Sequence, residues 1–295
     1  MRSVDAEDLE LGELTDNDVS VVVQGPVGPR LSDVLASVRR VLPAAQLIVS
    51  TWQGSDVVGL DADDVILNED PGSVPLIDED GAATPRMMNV NRMLVSSRNG
   101  VERCERSWSI KLRSDSPIES PAFVDWIGRY PTRVDELDVF DQRILTSTIA
   151  TRPGRAAPGY LFHPSDCVHI GTTSDLRRLW ATPTIDETES AGWLVGKPRP
   201  AAFRWGSPRY FNEQVLWLGC LAAAGHDVGY QQAGDVSPEL IRRSDLSIVN
   251  NFVVLEPWQL GIRMPTLEPQ VSQLELPMYM WHTKWQELYG EHIDG

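Results

Sequence analysis

The stretch VSVVVQGP, residues 19–26, decides the fold because a Val-rich run stops abruptly at a Gln-Gly-Pro turn. A short apolar run bounded by turn residues is typical of a strand that is buried on both faces of a sheet. Residues 31–42 follow, with apolar side chains at helical spacing. A buried strand that leads into an amphipathic helix predicts the first half of a βαβ unit.

The same alternation continues to residue 118. Strands are predicted at 47–51, 65–68 and 109–113, and a second amphipathic helix at 87–104, after a loop over 71–85. Right-handed crossovers between such strands give a mostly parallel sheet with helices on its faces. Residues 18–118 are therefore predicted to form a nucleotide-binding half of α/β class.

Residues 119–295 have a less regular pattern and are predicted to complete the same domain, 18–295. The expected elements are helices at 174–180 and 207–224, a loop rich in Pro and Gly at 183–209, a strand at 248–255, and an aromatic segment at 278–288 that packs back on the body. Residues 1–17 are acidic and lack an apolar period, which predicts a flexible tail.

Charge and composition exclude several classes of function. The 295 residues include 26 Lys and Arg against 42 Asp and Glu, a net charge of −16. Nucleic acid binding requires a basic face, and the overall negative charge of this chain repels phosphate. No nucleic acid partner is therefore expected. The three cysteines are too far apart in sequence for a disulfide scaffold or a zinc module.

Localisation is predicted from what the sequence lacks. No apolar run reaches the ~18 residues of a membrane span, and the N-terminus has acids where a signal peptide has a basic start. A cytoplasmic protein is expected, and a peripheral contact with the inner face of the membrane stays open.

The basic residues are strongly biased toward arginine, since lysine occurs only at 111, 197 and 284. A GC-rich genome explains such a bias. The alternative is that some arginines clamp a phosphate or diphosphate through paired hydrogen bonds.

Polar or turn residues follow each predicted strand, at the edge where open α/β sheets bind ligands. Gly25 allows a base or phosphate to approach the backbone, and Asp70 can accept hydrogen bonds from a base or a ribose. No P-loop or dinucleotide-binding fingerprint occurs. These four strand ends are Gln24-Gly25-Pro26, Ser50-Thr51-Trp52, Asn68-Glu69-Asp70 and Arg113-Ser114-Asp115.

Asp115 follows a buried strand and is a candidate ligand for Mg²⁺ or Mn²⁺, which would neutralise a diphosphate. Arg113 is predicted to point to the same side and to be able to neutralise phosphate without a metal. Both interpretations stay open, as does a simple turn-capping role for Asp115.

Glu213 lies in an otherwise apolar helical stretch. A carboxylate at the edge of an apolar face can have a raised pKa and act as a general base. A solvent-facing helix position is the alternative, and Asp166 is the next candidate for the base. No G-x-S-x-G motif or Cys–His pairing supports a Ser or Cys hydrolase.

Five blocks in order resemble the WavE lipopolysaccharide synthesis family, bacterial proteins related to glycosyltransferases of the GT-A fold. The blocks are VSVVVQGP (19–26), IVSTWQGSD (48–56), ILNEDPG (66–72), NVNR (89–92) and IKLRSD (110–115), with weaker similarity at 162–166, 213–214 and 250–252. The resemblance implies a GT-A-like fold with an irregular C-terminal half that binds the acceptor. It also implies transfer of a sugar from a nucleotide-sugar donor to a cell-envelope or capsular glycan or lipid-linked glycan.

The resemblance also assigns residues to roles. Arg113-Ser114-Asp115 takes the place of the metal-binding D-x-D motif, with Arg113 instead of the first Asp, so that Asp115 is its only carboxylate. His282 is a candidate for the C-terminal histidine that often completes the metal site in GT-A enzymes. The residues expected to bind the substrates are Gln24, Gly25, Pro26, Asp70, Asn91, Arg92, Arg113 and Asp166, with Glu213 and Asp115 in catalysis.

Two other functions are compatible with the residues. A nucleotidyltransferase that makes an activated sugar shares the sheet, but residues 24–30 lack the dense Gly, Lys and Arg of its phosphate loop. A non-catalytic glycan-binding or scaffold protein would use some of the ten tryptophans.

Overall fold

A computed structural model describes residues 14–77, 82–190, 192–197, 208–267 and 276–294. Most of the predicted tail, 1–17, lies outside these residues, as do Ser207 and part of the predicted loop at 183–209. The described residues form a seven-stranded sheet, a two-stranded hairpin and helices on both faces of the sheet.

The strands are β1 (Val19–Gln24), β2 (Gln46–Trp52), β3 (Asp64–Asn68), β4 (Val74–Ile77), β5 (Ala83–Met88), β6 (Trp108–Arg113), β7 (Ile144–Ser147), β8 (His169–Thr172) and β9 (Phe252–Leu255). The α-helices are α1 (Leu31–Val41), α2 (Val90–Glu102), α3 (Thr173–Trp180), α4 (Asn212–Ala223), α5 (Pro238–Asn251), α6 (Pro257–Leu260) and α7 (His282–Tyr289). Short 3₁₀ turns occur at Asp16–Asp18, Ala122–Trp126, Pro158–Tyr160, Gly192–Leu194 and Leu276–Met278, and a π turn at Gly290–Asp294.

The strand order of the main sheet is β3-β2-β1-β6-β8-β7-β9. β3, β2, β1 and β6 are parallel, β8 is antiparallel to both of its neighbours, and β7 and β9 are parallel to each other. The predicted α/β fold with a mostly parallel sheet and flanking helices is confirmed. β2 and β6 lie on opposite sides of β1, so the strand order reverses between β1 and β6.

β1 is central because its side chains are buried on both faces. Val19, Val21 and Val23 pack into one core with α1 and α7, whereas Val22 packs into the other with α2, α3 and α4. Burial of a valine side chain contributes about 1.5–3 kcal/mol, so this strand anchors both layers of the domain.

The C-terminal half is more regular than predicted, since β7, β8 and β9 complete the main sheet. The predicted strand at 248–255 is wrong in its first half, where α5 continues to Asn251. Ser237 caps that helix, and the Asn250 and Asn251 side chains bond the backbone of residues 134–139. Periodicity alone cannot assign a short buried apolar run to helix or strand.

Other predicted boundaries need smaller corrections. α2 begins at Val90 because part of the predicted loop at 71–85 and residues 86–88 form the β4–β5 hairpin. The helix predicted from residue 207 begins at Asn212. The C-terminal segment packs on the body as predicted, with Trp285 fully buried. No helix in the described ranges is long and apolar enough to cross a membrane.

Candidate nucleotide-binding cleft

A cleft of about 760 Å³ opens at the carboxyl ends of β1 and β6. This is the point where the strand order reverses, which is where open α/β sheets bind their ligands. Its volume lies within the usual range of small-molecule sites. The cleft is lined by Gln24, Gly25, Pro26, Gly28, Pro29, Arg30, Trp52, Asp70, Asn89, Arg92, Met93, Lys111, Arg113, Ser114, Asp115, Asp166, Asn212 and Thr266.

The turn after β1 is fixed against the end of β6. Ser114 donates its backbone N–H to Gln24 O at 2.9 Å and its hydroxyl to Pro26 O at 2.9 Å. Gly25 has a φ of 129°, and a Cβ there would lie 2.8 Å from Ser114 Oγ. A side chain at position 25 would therefore be strained and crowded, so glycine is required where the two strand ends meet.

Arg92 and Asp70 form an ion pair at the rim of the cleft. The Arg92 Nε and Nη2 atoms each donate to one Asp70 carboxylate oxygen at 2.7 Å. These hydrogen bonds lower the pKa of Asp70. Asn91, predicted beside Arg92, is not among the cleft residues, because its side-chain amide exchanges hydrogen bonds with the backbone of Ile185 at 2.8 and 3.0 Å.

Arg113 and Asp115 form a second ion pair, deeper in the cleft. The Arg113 Nε and Nη2 atoms donate to the two Asp115 carboxylate oxygens, each at 2.9 Å. Burial would raise the pKa of Asp115, but the hydrogen bonds and charge of Arg113 outweigh it and leave that pKa below its ordinary value. The two side chains thus neutralise each other.

The groups around Asp115 do not form a ligand set that fits Mg²⁺ or Mn²⁺. Both carboxylate oxygens accept hydrogen bonds from Arg113, and the described residues contain no cluster of three His, Cys, Asp or Glu side chains suited to a metal. His282 is not in the cleft, and its ring nitrogens face Val254 O at 2.8 Å and Tyr130 Oη at 3.3 Å. Metal binding by Asp115 stays a prediction, and it would require Arg113 to move away.

Lys111 is a cleft residue that the sequence analysis did not single out as a site residue. It lies on β6, two residues before Arg113 and on the same face of the strand. Its side chain is fully buried, and its ammonium donates to the backbone carbonyl of Asp166. Burial lowers the pKa of Lys111 to about 8. A lysine inside a predicted buried strand was the sequence signal for it.

Arg30 is the second cation that the sequence analysis missed. It is exposed at the N-terminal end of α1, beside Gly28 and Pro29, and its side chain has no ion pair within the described part of the chain. The N-terminus of a helix favours anions because its first N–H groups lack helical partners. The position of Arg30 just before a predicted helix was the available signal.

Asp166 and Glu213, the two candidate bases, have different relations to the cleft. Asp166 lines the cleft and is partly exposed, and its Oδ1 accepts the Cys167 thiol at 3.5 Å. Glu213 is not a lining residue, although the preceding Asn212 is. The Glu213 carboxyl lies 3.4 Å from His163 Nε2.

The protonation states of Glu213 and His163 follow from their burial. Burial and the nearby charge of Asp166 raise the pKa of Glu213 to about 8. Burial and the charge of Arg152 lower the pKa of His163 to about 4. These opposite shifts favour a neutral carboxyl beside a neutral imidazole at neutral pH.

The fold is that of an α/β protein with a cleft at the switch point of a mostly parallel sheet. The chain belongs to the WavE lipopolysaccharide synthesis family, whose sequence model matches residues 19–295. The resemblance of the five blocks to this family is thereby confirmed. Comparison with curated proteins gives no match.

Proposed function

We propose that this protein is a nucleotide-sugar-dependent glycosyltransferase of the GT-A type that adds a sugar to a glycan or lipid-linked glycan during lipopolysaccharide synthesis. The observation that carries the proposal is the cleft between β1 and β6 in a member of the WavE family. This cleft combines a glycine turn, a helix N-terminus and cationic side chains, which suit a nucleoside diphosphate.

The donor nucleotide fits the side of the cleft formed by the β1 turn. Gln24 to Pro26 and Asp70 face the nucleoside, and Trp52 offers an aromatic surface on which a base can stack. The diphosphate lies toward Arg30 and the N-terminus of α1, where the protein provides unpaired positive charge.

Charge on the departing diphosphate is offset mainly by protein cations in this proposal. Arg30 and Lys111 form no ion pairs within the described residues, whereas Arg92 and Arg113 are each held by an aspartate. Arg113 adds its charge when its contact with Asp115 opens. Ligation of Mg²⁺ or Mn²⁺ by Asp115 is the competing possibility, in which the metal would supply Lewis-acid stabilisation of the same charge.

The acceptor hydroxyl must lose a proton, and two carboxyls compete for that role. Asp166 is the carboxylate that borders the cleft, whereas Glu213 is held protonated against His163. Carboxyl pairs with different environments divide acid and base roles in this way. We therefore assign the base to Asp166 and keep Glu213, the base predicted from the sequence, as the alternative.

The other candidate functions are less well supported. A scaffold that binds glycans through tryptophans needs accessible indoles. Trp180, Trp217 and Trp285 are fully buried, and the exposed Trp258 does not line the cleft. A nucleotidyltransferase and a glycosyltransferase both bind nucleotides. They differ in the product, which is pyrophosphate in the first case and a nucleoside diphosphate in the second.

A thermal-shift panel of UDP, GDP, CMP and dTDP, each with and without Mg²⁺ or Mn²⁺, tests the proposal. A nucleotide at 100 times its Kd should stabilise the fold by about 2.7 kcal/mol. Arg30→Gln should weaken binding of that nucleotide. Arg40 is an exposed arginine at the other end of α1, so Arg40→Gln should leave the binding unchanged. No shift with any nucleotide, or pyrophosphate as the product, would overturn the proposal.

A further inference from the structure

Arg152 carries a charge that the protein does not balance. Its Nε and Nη1 atoms are buried and have no hydrogen-bond partner. No ion pair within the described residues includes this side chain. Buried polar groups are normally hydrogen-bonded and buried charges paired, so an unpartnered guanidinium indicates a missing ligand.

Two tyrosine rings make cation–π contacts with the Arg152 guanidinium. Its Cζ lies 4.1 Å from the ring centroid of Tyr279 and 5.3 Å from that of Tyr160. The backbone N–H of Arg152 donates to His163 O at 3.0 Å, which fixes the start of the side chain. Cation–π contacts of this kind do not use the guanidinium N–H groups, which stay available for hydrogen bonds to an anion.

No hydrogen bond or ion pair of the described residues joins the Arg152 guanidinium to His163, to Glu213 or to Asp166, whose charge acts on both of them. The charge of Arg152 also acts on His163 and on Glu213. At neutral pH the imidazole and the carboxyl of this pair are both uncharged. The cation therefore persists as a local positive site in a protein of net charge −16.

Arg152 is connected to the cleft through His163, whose backbone O accepts from Arg152 N at 3.0 Å and whose Nε2 lies 3.4 Å from the Glu213 carboxyl. Asn212, the residue before Glu213, lines the cleft and has a buried Oδ1 without a hydrogen-bond partner. An amide oxygen accepts hydrogen bonds only, so a hydroxyl group is a suitable partner for it. Sugars carry hydroxyls of this kind.

We propose that the edge of the Arg152 guanidinium binds an anionic group of the glycan acceptor, a phosphate or a carboxylate, while Asn212 Oδ1 accepts a hydroxyl hydrogen of the same glycan. The identity of this ligand as the acceptor rests on the proposed glycosyltransferase function. The anion site itself rests on the unpartnered guanidinium. Guanidinium groups form strong, directional hydrogen bonds with both kinds of anion.

Calorimetric titration with small sugars tests the site. Glucose 6-phosphate and glucuronate carry the two candidate anions, and glucose is the neutral control. We expect the parent to bind at least one charged sugar more tightly than glucose, and Arg152→Gln to weaken that binding about tenfold or more. Arg152→Lys keeps the charge and should keep part of the affinity, which also controls for loss of folding. The charged sugar that binds more tightly identifies the anion.

Two matched variants separate this site from others. Arg155→Gln removes an exposed arginine that pairs with Glu291, and it should leave binding unchanged. Arg30→Gln alters the nucleotide cleft. Loss of anion binding in Arg30→Gln but not in Arg152→Gln would overturn the assignment, as would equal binding of charged and neutral sugars.

The two proposals fail independently. If a nucleotide binds but substitution of Arg152 does not change the affinity for charged sugars, the proposed donor site is supported and the proposed anion site is wrong. If no nucleotide binds but Arg152 still governs anion binding, the site is real and the glycosyltransferase function is wrong.

Discussion

The Arg113 guanidinium donates two hydrogen bonds of 2.9 Å to the carboxylate of Asp115, two residues further along the chain. In the proposed GT-A assignment this pair takes the position of the D-x-D motif, with a cation where that motif has its first carboxylate. Both side chains are only partly exposed, at 33% and 22%, so their contact is screened less than one on the surface. The site that would hold a metal is therefore internally neutral.

We predict that Arg113 adds to the neutralisation of phosphate, together with Arg30 and Lys111, when its contact with Asp115 opens. Arg113→Ala should lower kcat/KM about 10–100-fold, the effect of losing one or two charge-assisted hydrogen bonds to phosphate. Asp115→Asn should lower kcat/KM less than Arg113→Ala does, because it frees Arg113 to contact the diphosphate. EDTA should leave turnover within a few-fold. Steady-state kinetics of the three cases measure this.

Asp125→Asn removes an exposed acid elsewhere and is the control for Asp115→Asn. Loss of activity in EDTA with recovery on adding Mg²⁺ or Mn²⁺, together with loss of most turnover in Asp115→Asn, would instead assign the role to a metal held by Asp115.

Packing between α2 and β1 makes a prediction about stability. A Cβ at Gly100 would lie 2.3 Å from Val22 Cγ1, so the helix approaches the central strand too closely for any side chain there. Gly100→Ala should lower the free energy of unfolding by about 1–3 kcal/mol through overpacking. Urea denaturation measures the change.

Gly290→Ala is the matched control, because a Cβ at that position meets nothing within 4 Å and its φ is −60°. It should be neutral or slightly stabilising. Equal effects of the two substitutions would show that close packing at Gly100 does not limit stability.

The part of the fold that local patterns determine could be predicted from the sequence. Residues 19–24 are rich in valine and end at a Gly-Pro turn, and α1 has a clear helical period, so both elements lie within one residue of their predicted bounds. The end of α5 could not be predicted, because Asn250 and Asn251 are fixed by backbone groups more than a hundred residues away.

The site was predictable to the same extent. Strand ends meet at one edge of a parallel sheet, which places Gly25, Asp70 and Asp115 in one cleft. Asn91 does not line this cleft beside Arg92, because neighbours on a helix point about 100° apart and its side chain is bonded to the backbone of Ile185. The clustering of Arg152 with Glu213 depends on tertiary packing and has no sequence signal.

The Glu213–His163 pair predicts a pH dependence of stability. Glu213 has its pKa raised from 4.5 to about 8, so the stability it contributes is complete below pH 4.5 and is lost as the pH rises toward 8. His163, lowered from 6.5 to about 4, contributes stability that is complete above pH 6.5 and is lost as the pH falls toward 4. Between pH 6.5 and 8 only the Glu213 effect remains from this pair.

Glu213→Gln should therefore remove a decline in the free energy of unfolding between pH 6.5 and 8, of up to about 1.4 kcal/mol per pH unit. Denaturation at a series of pH values measures it, with Glu187→Gln as an exposed control. An unchanged slope in Glu213→Gln would mean that Glu213 is ionised in the folded protein.

The turnover rates of Asp166 and Glu213 variants decide which of the two carboxyls is the base. A general base contributes about 10²–10⁴-fold to rate, so Asp166→Asn should lower kcat by at least a hundredfold while donor affinity and melting stay near those of the parent. Glu213→Gln keeps the shape of the side chain beside His163 and should cost less than about tenfold, because Glu213 does not line the cleft. A hundredfold loss in Glu213→Gln, with Asp166→Asn within a few-fold of the parent, would reverse the assignment. Glu213 would then be the base, at a pKa of about 8 that suits proton transfer near neutral pH.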